Sequence, residues 1–186
     1  INIMSNFFNK SDLSRKDAEN IVSETLHKCD DGELYLEKSK SESIVLDDNK
    51  IKGSNYSSDL GYGLRAVTGE VVAYSHSNEI SKKSLKRSSE NLQSTLKSKK
   101  GTYNHIISKT NEKFYNDINP IEEKSLNSKL EILKEVNNYI RNKDSIVQQV
   151  TASFAGEHTS IEIIRSGGEI LTDVRPLIRF NVSVML

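Results

Sequence analysis

The residues best suited to chemistry are four histidines, His27, His76, His105 and His158, and a lone cysteine, Cys29. A helical zinc site needs two histidines about one turn apart with a carboxylate between them, because that spacing aims both imidazoles at one ion. None of the four is followed by Glu, so His-Glu-x-x-His and its relatives are absent from these 186 residues. His158 and Glu162 are four apart, which would suit a shared metal on a helix. Their surroundings, Thr159-Ser160-Ile161-Glu162-Ile163-Ile164, read as a strand instead. Four strand steps separate them by ~13 Å, whereas a zinc ion holds each ligand at ~2 Å.

Other short motifs are equally bare. Gly61-Tyr62-Gly63 lacks the third glycine of a dinucleotide fingerprint, and a strand-like run follows where a helix should start. Gly156 precedes Glu-His-Thr, with no phosphate-binding lysine. Glu42 with Asp47, or Asp47 with Asp48, forms a conceivable carboxylate pair but reads as exposed strand and turn residues. Cys29 falls on an apolar helical stripe and reads as a small buried hydrophobe. The residues alone therefore name no catalytic group and no metal ligand.

The elements that would position these groups follow from periodicity. Asp12 to Cys29 predicts an amphipathic helix with Ser14 as cap and Asp17 three residues on; Ala18, Ile21, Val22, Leu26 and Cys29 form its apolar face. Short strands are expected around Leu34–Leu36, Ser43–Leu46, Ile51–Ser57, Leu60–Val67 and Val71–Ser75, joined by turns at Asp30–Gly32, Asp47–Lys50 and Thr68-Gly69 as an antiparallel meander. A second helix spans Ser81 to about Lys99, with Leu85, Leu92 and Leu96 on one face and Lys100-Gly101 ending it. Residues 102–119 read as a connector. A third helix opens at Pro120 or Ile121 and runs to about Asn142, with Leu126, Leu130, Leu133, Val136 and Ile140 as its stripe. Strands return at Ile146–Phe154, Ile161–Arg165 and, after Gly167-Gly168, from Ile170 to the end. Strands in blocks rather than alternating with helices make this an α+β chain: antiparallel sheet with about three amphipathic helices.

Composition narrows the function classes. Lys+Arg and Asp+Glu are 26 each, leaving no global surplus of cations for nucleic acid. The local run Lys82, Lys83, Lys86, Arg87, Lys97, Lys99, Lys100 reads as a solvated helix face. One cysteine permits no intrachain disulfide and fits a cytoplasmic location. No run approaches the ~18 apolar residues of a membrane span, and residues 1–10 do not read as a signal peptide. Phe180, Val182, Val184 and Leu186 alternate with Asn181, Ser183 and Met185 up to the last residue, and a further segment is expected to complete that sheet.

Several blocks carry a family resemblance. Gly32-Glu33-Leu34-Tyr35-Leu36-Glu37, Ser41-Glu42-Ser43 and Leu46-Asp47-Asp48 resemble the opening of the TldD/PmbA family. Ser54 to Glu70, with Asp59-Leu60-Gly61-Tyr62-Gly63-Leu64-Arg65-Ala66-Val67-Thr68-Gly69-Glu70, is similar to its "D-x-G-x-G-V-R-A-V/I-x-G-E" block. Ala152-Ser153-Phe154 and Thr172 to Val184 look like the TldD branch.

The resemblance implies a cytoplasmic zinc metallopeptidase of unfolded or flexible peptides, of a family once described as modulators of DNA gyrase. In the family, zinc is held by a His-Glu-x-x-x-His motif C-terminal to the block ending here at Val184. No residue of this chain matches that motif, so no catalytic residue and no zinc ligand is carried over. Residues 1–176 would form the N-terminal domain, and 177–186 the start of the metallopeptidase part. The partners implied are a second TldD/PmbA-type subunit and a peptide, with neither membrane nor nucleic acid. The residues that transfer are Gly61 and Gly63, for close backbone approach or a bulge, and Arg65 and Arg175, for pairing with carboxylates, a peptide's own included. A structural role on the sheet competes for both arginines. The alternative function is a stand-alone, non-catalytic peptide- or protein-binding module, a partner-type or gyrase-modulator-like role included.

Overall fold

The computed structural model describes residues 7–96, 101–102 and 115–186. Its element order is α1 (Arg15–Leu26), β1 (Asp31–Asp47), β2 (Lys50–Thr68), β3 (Val71–Ser77), α2 (Lys82–Leu96), α3 (Leu126–Lys143), β4 (Gln149–Arg165) and β5 (Ile170–Met185). The strands form one five-stranded antiparallel sheet in the order β3-β2-β1-β4-β5, so the fold is α+β. Where β2 meets β3, Tyr62 faces Ser77, Arg65 faces Tyr74 and Thr68 faces Val71.

The hairpins are set by local chemistry. Asp48 and Asn49 take positive φ (47° and 63°) between β1 and β2, the left-handed pair that matches strand twist and that Asp and Asn tolerate better than most residues. Gly69 at φ 58° turns β2 into β3, and Gly167 and Gly168 turn β4 into β5. The strands are longer than expected: β1 and β2 run unbroken for 17 and 19 residues where the sequence suggests two short strands each. The gap expected between Ile51–Ser57 and Leu60–Val67, Ser58-Asp59, is exposed strand like its neighbours, held by neighbouring backbone rather than by burial. Helix α3 also begins later than expected. Pro120 sits in a turn closed by Glu122 N–H to Asn119 O (3.2 Å), with Asn first and Pro second as such turns prefer. Ser125 then caps α3 by accepting from Ser128 N–H.

The chain divides into two compact units, each with its own core. The first takes its described residues from Ile1–Lys38, Asp59–Phe114 and Ser160–Asp173. It buries Leu13, Ala18, Val22 and Leu26 of α1 and its approach, Leu34 and Leu36 of β1, Leu64 and Ala66 of β2, and Leu85 and Leu92 of α2. Cys29 lies in this core, and burial pushes its thiol above the ordinary range, as a structural cysteine requires. Lys82 Nζ pairs with Asp17 (2.8 Å), tying α2 to α1, while Lys83, Lys86 and Arg87 are solvent-exposed. Lys97, Lys99 and Lys100 lie outside the described residues.

The second unit comprises Ser39–Ser58, Tyr115–Thr159 and Val174–Leu186. Its core is Ile44, Leu46, Leu133 and Ala152, with Leu130 and Phe154 against it. Helix α3 keeps much of the expected face, with Leu133 buried and Leu130 packed beside it, but Lys129 and Asn137 are buried there too and Leu126 is exposed.

Candidate functional site

In the first unit Gly61, Gly63 and Arg65 fall at alternate positions of β2 and so share one face of it; the intervening Tyr62 and Leu64 point into the core. A Cβ on Gly61 would lie 2.9 Å from Ser77 O, a genuine close backbone approach. A Cβ on Gly63 would meet the phenol of Tyr74 at 2.6 Å; the Tyr74 ring lies over the bare glycine and stacks on His76 (centroids 5.8 Å). Arg65 donates to Asp31 Oδ2 (2.7 Å) and to Glu33 Oε1 (3.3 Å), and Arg165 also reaches Glu33 (3.7 Å). Burial raises the Asp31 carboxyl, but the Arg65 hydrogen bond and the Gly32 N–H outweigh it and leave it below its ordinary value. Arg65 is thus engaged by carboxylates of its own sheet. Arg175 is exposed on β5 in the second unit, so the four residues singled out by resemblance are divided between two units.

The second unit holds a feature that sequence reasoning missed. Ser41, Glu42 and Ser43 of β1, Gly156 of β4, and Leu177 and Arg179 of β5 help line an open groove of about 260 Å³. Glu42 is not an exposed strand carboxylate: its side chain is 12% accessible, and its Oε2 is bonded by the ammonium of Lys129, itself 4% accessible. Lys129 also donates to Ile121 O (2.6 Å) and lies over the Phe154 ring. Ile121 packs where Gly156 has no side chain, its Cγ1 3.1 Å from the position a Cβ would take. Lys40 pairs with Glu122 of the same turn, and that bond holds the Glu122 carboxyl below its ordinary value. The signal was present but quiet: Lys129 stands four residues before Leu133, on the face that turns inward.

The remaining candidates resolve into structural roles. Asp47 accepts from Gln149 Nε2 and Thr151 Oγ1, and Asp48 from Val150 N–H and Arg141, so both carboxylates pin β1 to β4. Glu162 is fully buried and gripped by Arg15 through two bonds of 3.0 and 2.7 Å. It shares the single strand β4 with His158. Among the described residues no three His, Cys, Asp or Glu side chains group so as to hold a metal ion, and no helix is long and apolar enough to cross a membrane.

Family models describe what this arrangement belongs to. Residues 32–98 match the PmbA/TldA metallopeptidase domain 1, and residues 119–186 match the central domain of the same metallopeptidases. This chain belongs to the TldD/PmbA metallopeptidase family. A metalloprotease TldD homolog of Buchnera aphidicola from Acyrthosiphon pisum is 35% identical over 158 residues, 84% of this chain and 33% of the relative. One from Haemophilus influenzae is 31% identical over 183 residues, 95% of this chain and 37% of the relative. The chain thus spans about a third of these relatives. Among solved structures, proteins named as proposed modulators of DNA gyrase from Bacteroides thetaiotaomicron and Thermotoga maritima each superpose with TM-score 0.69. They are 17% and 12% identical, cover 91% and 90% of this chain, and are themselves covered to 40% and 41%. TldE from Thermococcus kodakarensis gives 0.57 at 13% identity, over 90% of this chain and 42% of its own. These likenesses establish a shared fold. Zinc, which the family name implies, finds no fitting donor set among the described residues.

Proposed function

We propose that this chain is the substrate-guiding and subunit-pairing portion of a TldD-type zinc metallopeptidase acting on unfolded or flexible peptides in the cytoplasm, with the zinc-holding histidines supplied by sequence outside these 186 residues. The observation that carries the reading is the pair of family matches, domain 1 followed by the central domain, in chain order. The groove in the second unit and the free edge of β5 supply surfaces that extended peptides or a second TldD/PmbA-type subunit could use. The purified chain is expected to carry only substoichiometric zinc by elemental analysis and to cleave no unstructured peptide. One zinc per chain, surviving dialysis, defeats the proposal.

A second reading rests on β5 itself. Among the described residues it has a neighbour strand on one side only, and Leu177, Ile178, Phe180, Val182 and Val184 are all exposed. Such an edge captures extended segments by strand addition, which suits a non-catalytic binding module. Peptide binding by this chain that neither aids nor needs a zinc-bearing TldD-type portion would favour this reading over the first.

A further inference from the structure

We infer that Asp30 is a latch in the first unit: its carboxylate fastens Gly101-Thr102, as a strap, to the β2–β3 turn, and the strap opens locally without unfolding of the unit. Three observations carry it. First, the two carboxylate oxygens go to different parts of the chain. Oδ2 accepts from Gly69 N–H (2.6 Å) in the turn between β2 and β3, and Oδ1 accepts from Thr102 N–H (2.7 Å) beyond α2. The Asp30 N–H donates to Val67 O (2.8 Å), which seats the carboxylate on the end of β2. Second, Gly101 N–H donates to Lys28 O (2.7 Å), so the strap grips the chain on both sides of Cys29. Third, position 101 has to be bare. A Cβ there would lie 2.5 Å from Asp30 Oδ1 and 2.6 Å from Asp30 N, closer than side-chain carbons come.

The kind of bonding decides how the strap behaves. Gly101 has no side chain and Thr102 is exposed, so among the described residues its two N–H bonds hold it in place. A segment held by few polar bonds, with no apolar side chain buried, opens at far lower cost than a core strand. A carboxylate suits the latch, because it can accept from two donors at once and because charge-assisted bonds are stronger than neutral ones. The Gly69 N–H, then that of Thr102, holds the Asp30 carboxyl below its ordinary value. Cys29 serves as the reporter: it is buried, and the turn that bears it is fixed on both flanks by the strap. The strap lies between the two family matches, 32–98 and 119–186, so the latch fixes the place from which the chain leaves the domain 1 portion.

The test follows amide hydrogen exchange and the labelling of Cys29 by an aromatic disulfide reagent, in the 186-residue chain at low urea. In the parent, labelling should proceed through an opening that depends only weakly on urea, because local opening exposes little surface. A urea dependence equal to that of global unfolding overturns the inference, with no variant needed. Asp30→Ala and Gly101→Ala, shown folded by circular dichroism, should each speed Cys29 labelling and Thr102 amide exchange by about tenfold, the value of one good hydrogen bond. Gly101→Ala leaves the carboxylate in place, so its effect on the thiol is not electrostatic. The Gly69 amide should separate the two variants, losing protection in Asp30→Ala and keeping it in Gly101→Ala. Unchanged Thr102 exchange in both variants, or faster labelling in Asp30→Ala alone, removes the strap and leaves Asp30 as a brace of the β2–β3 turn.

Discussion

The two units solve the same problem with different means. Among the described residues the first unit gathers eighteen buried apolar side chains in one cluster, and the second gathers four, with Ile121 and Val150 buried apart from them. Burial of apolar area is the main favourable term in folding, so the first unit can stand on its core. The second adds polar bonds that must be correct in detail: Lys129 to Glu42 and Ile121 O, Lys40 to Glu122, Asp47 to Gln149 and Thr151, and Arg141 to Asp48. The lesson is that the polar unit is the place to look for function, because polar groups held in fixed geometry are what a ligand can read.

The contrast breaks most directly at Lys129. Lys129→Met strands Glu42 in a nearly buried position and should cost about 3–5 kcal/mol, while the paired change with Glu42→Leu should recover most of it. Denaturant titration of both variants measures this, and a single-variant loss below ~1 kcal/mol would fall within ordinary surface effects and refute the assignment of a buried pair. Next, Leu133→Ala and Leu64→Ala should each cost about 2–5 kcal/mol, but with different reach. Hydrogen exchange should show Leu133→Ala opening the second unit while the first stays protected, because a four-member apolar cluster has little reserve. Uniform loss of protection across both units would mean that they fold as one.

Smaller effects sharpen the picture within the first unit. Gly61→Ala must displace backbone at Ser77 and should cost about 1–3 kcal/mol, whereas Gly63→Ala meets only the mobile end of Tyr74, a side chain 64% exposed, and should cost less. Thermal melts that reverse this order would undo the close-approach account of Gly61.

A pH effect follows at Asp17. Its hydrogen bond from Lys82, then that from Ser14, holds the carboxyl down at about 2, against an ordinary 3.8. Folded below unfolded is the depressed case: the contribution is present above pH ~3.8 and fades as pH falls toward ~2. The melting-temperature gap between the parent and Asp17→Asn should close over that acid window; a gap that persists below it would point to packing instead. Last, Lys86→Gln or Arg87→Gln should change stability by no more than about 0.5 kcal/mol, as solvated helix positions do.

Periodicity and punctuation were enough to read α1 with its Ser14 cap, α2, the Gly69 and Gly167-Gly168 turns and the α+β class, because each depends on residues close in the chain. Motif blocks were enough for the family. The long unbroken strands were hidden, since a strand held by its neighbours' backbone needs no alternation of its own. The inner face of α3 was legible only in part: Leu130 and Leu133 mark it, but Lys129 joins them because Glu42 and Ile121 O, 87 and 8 residues away, wait there to receive the ammonium. Arg65 showed its charge in the sequence, but only folding chose Asp31 and Glu33, more than thirty residues earlier, as its partners. Local chain chemistry decides turns, caps and periodicity; which distant charges meet is decided only when strands far apart in the chain are laid side by side.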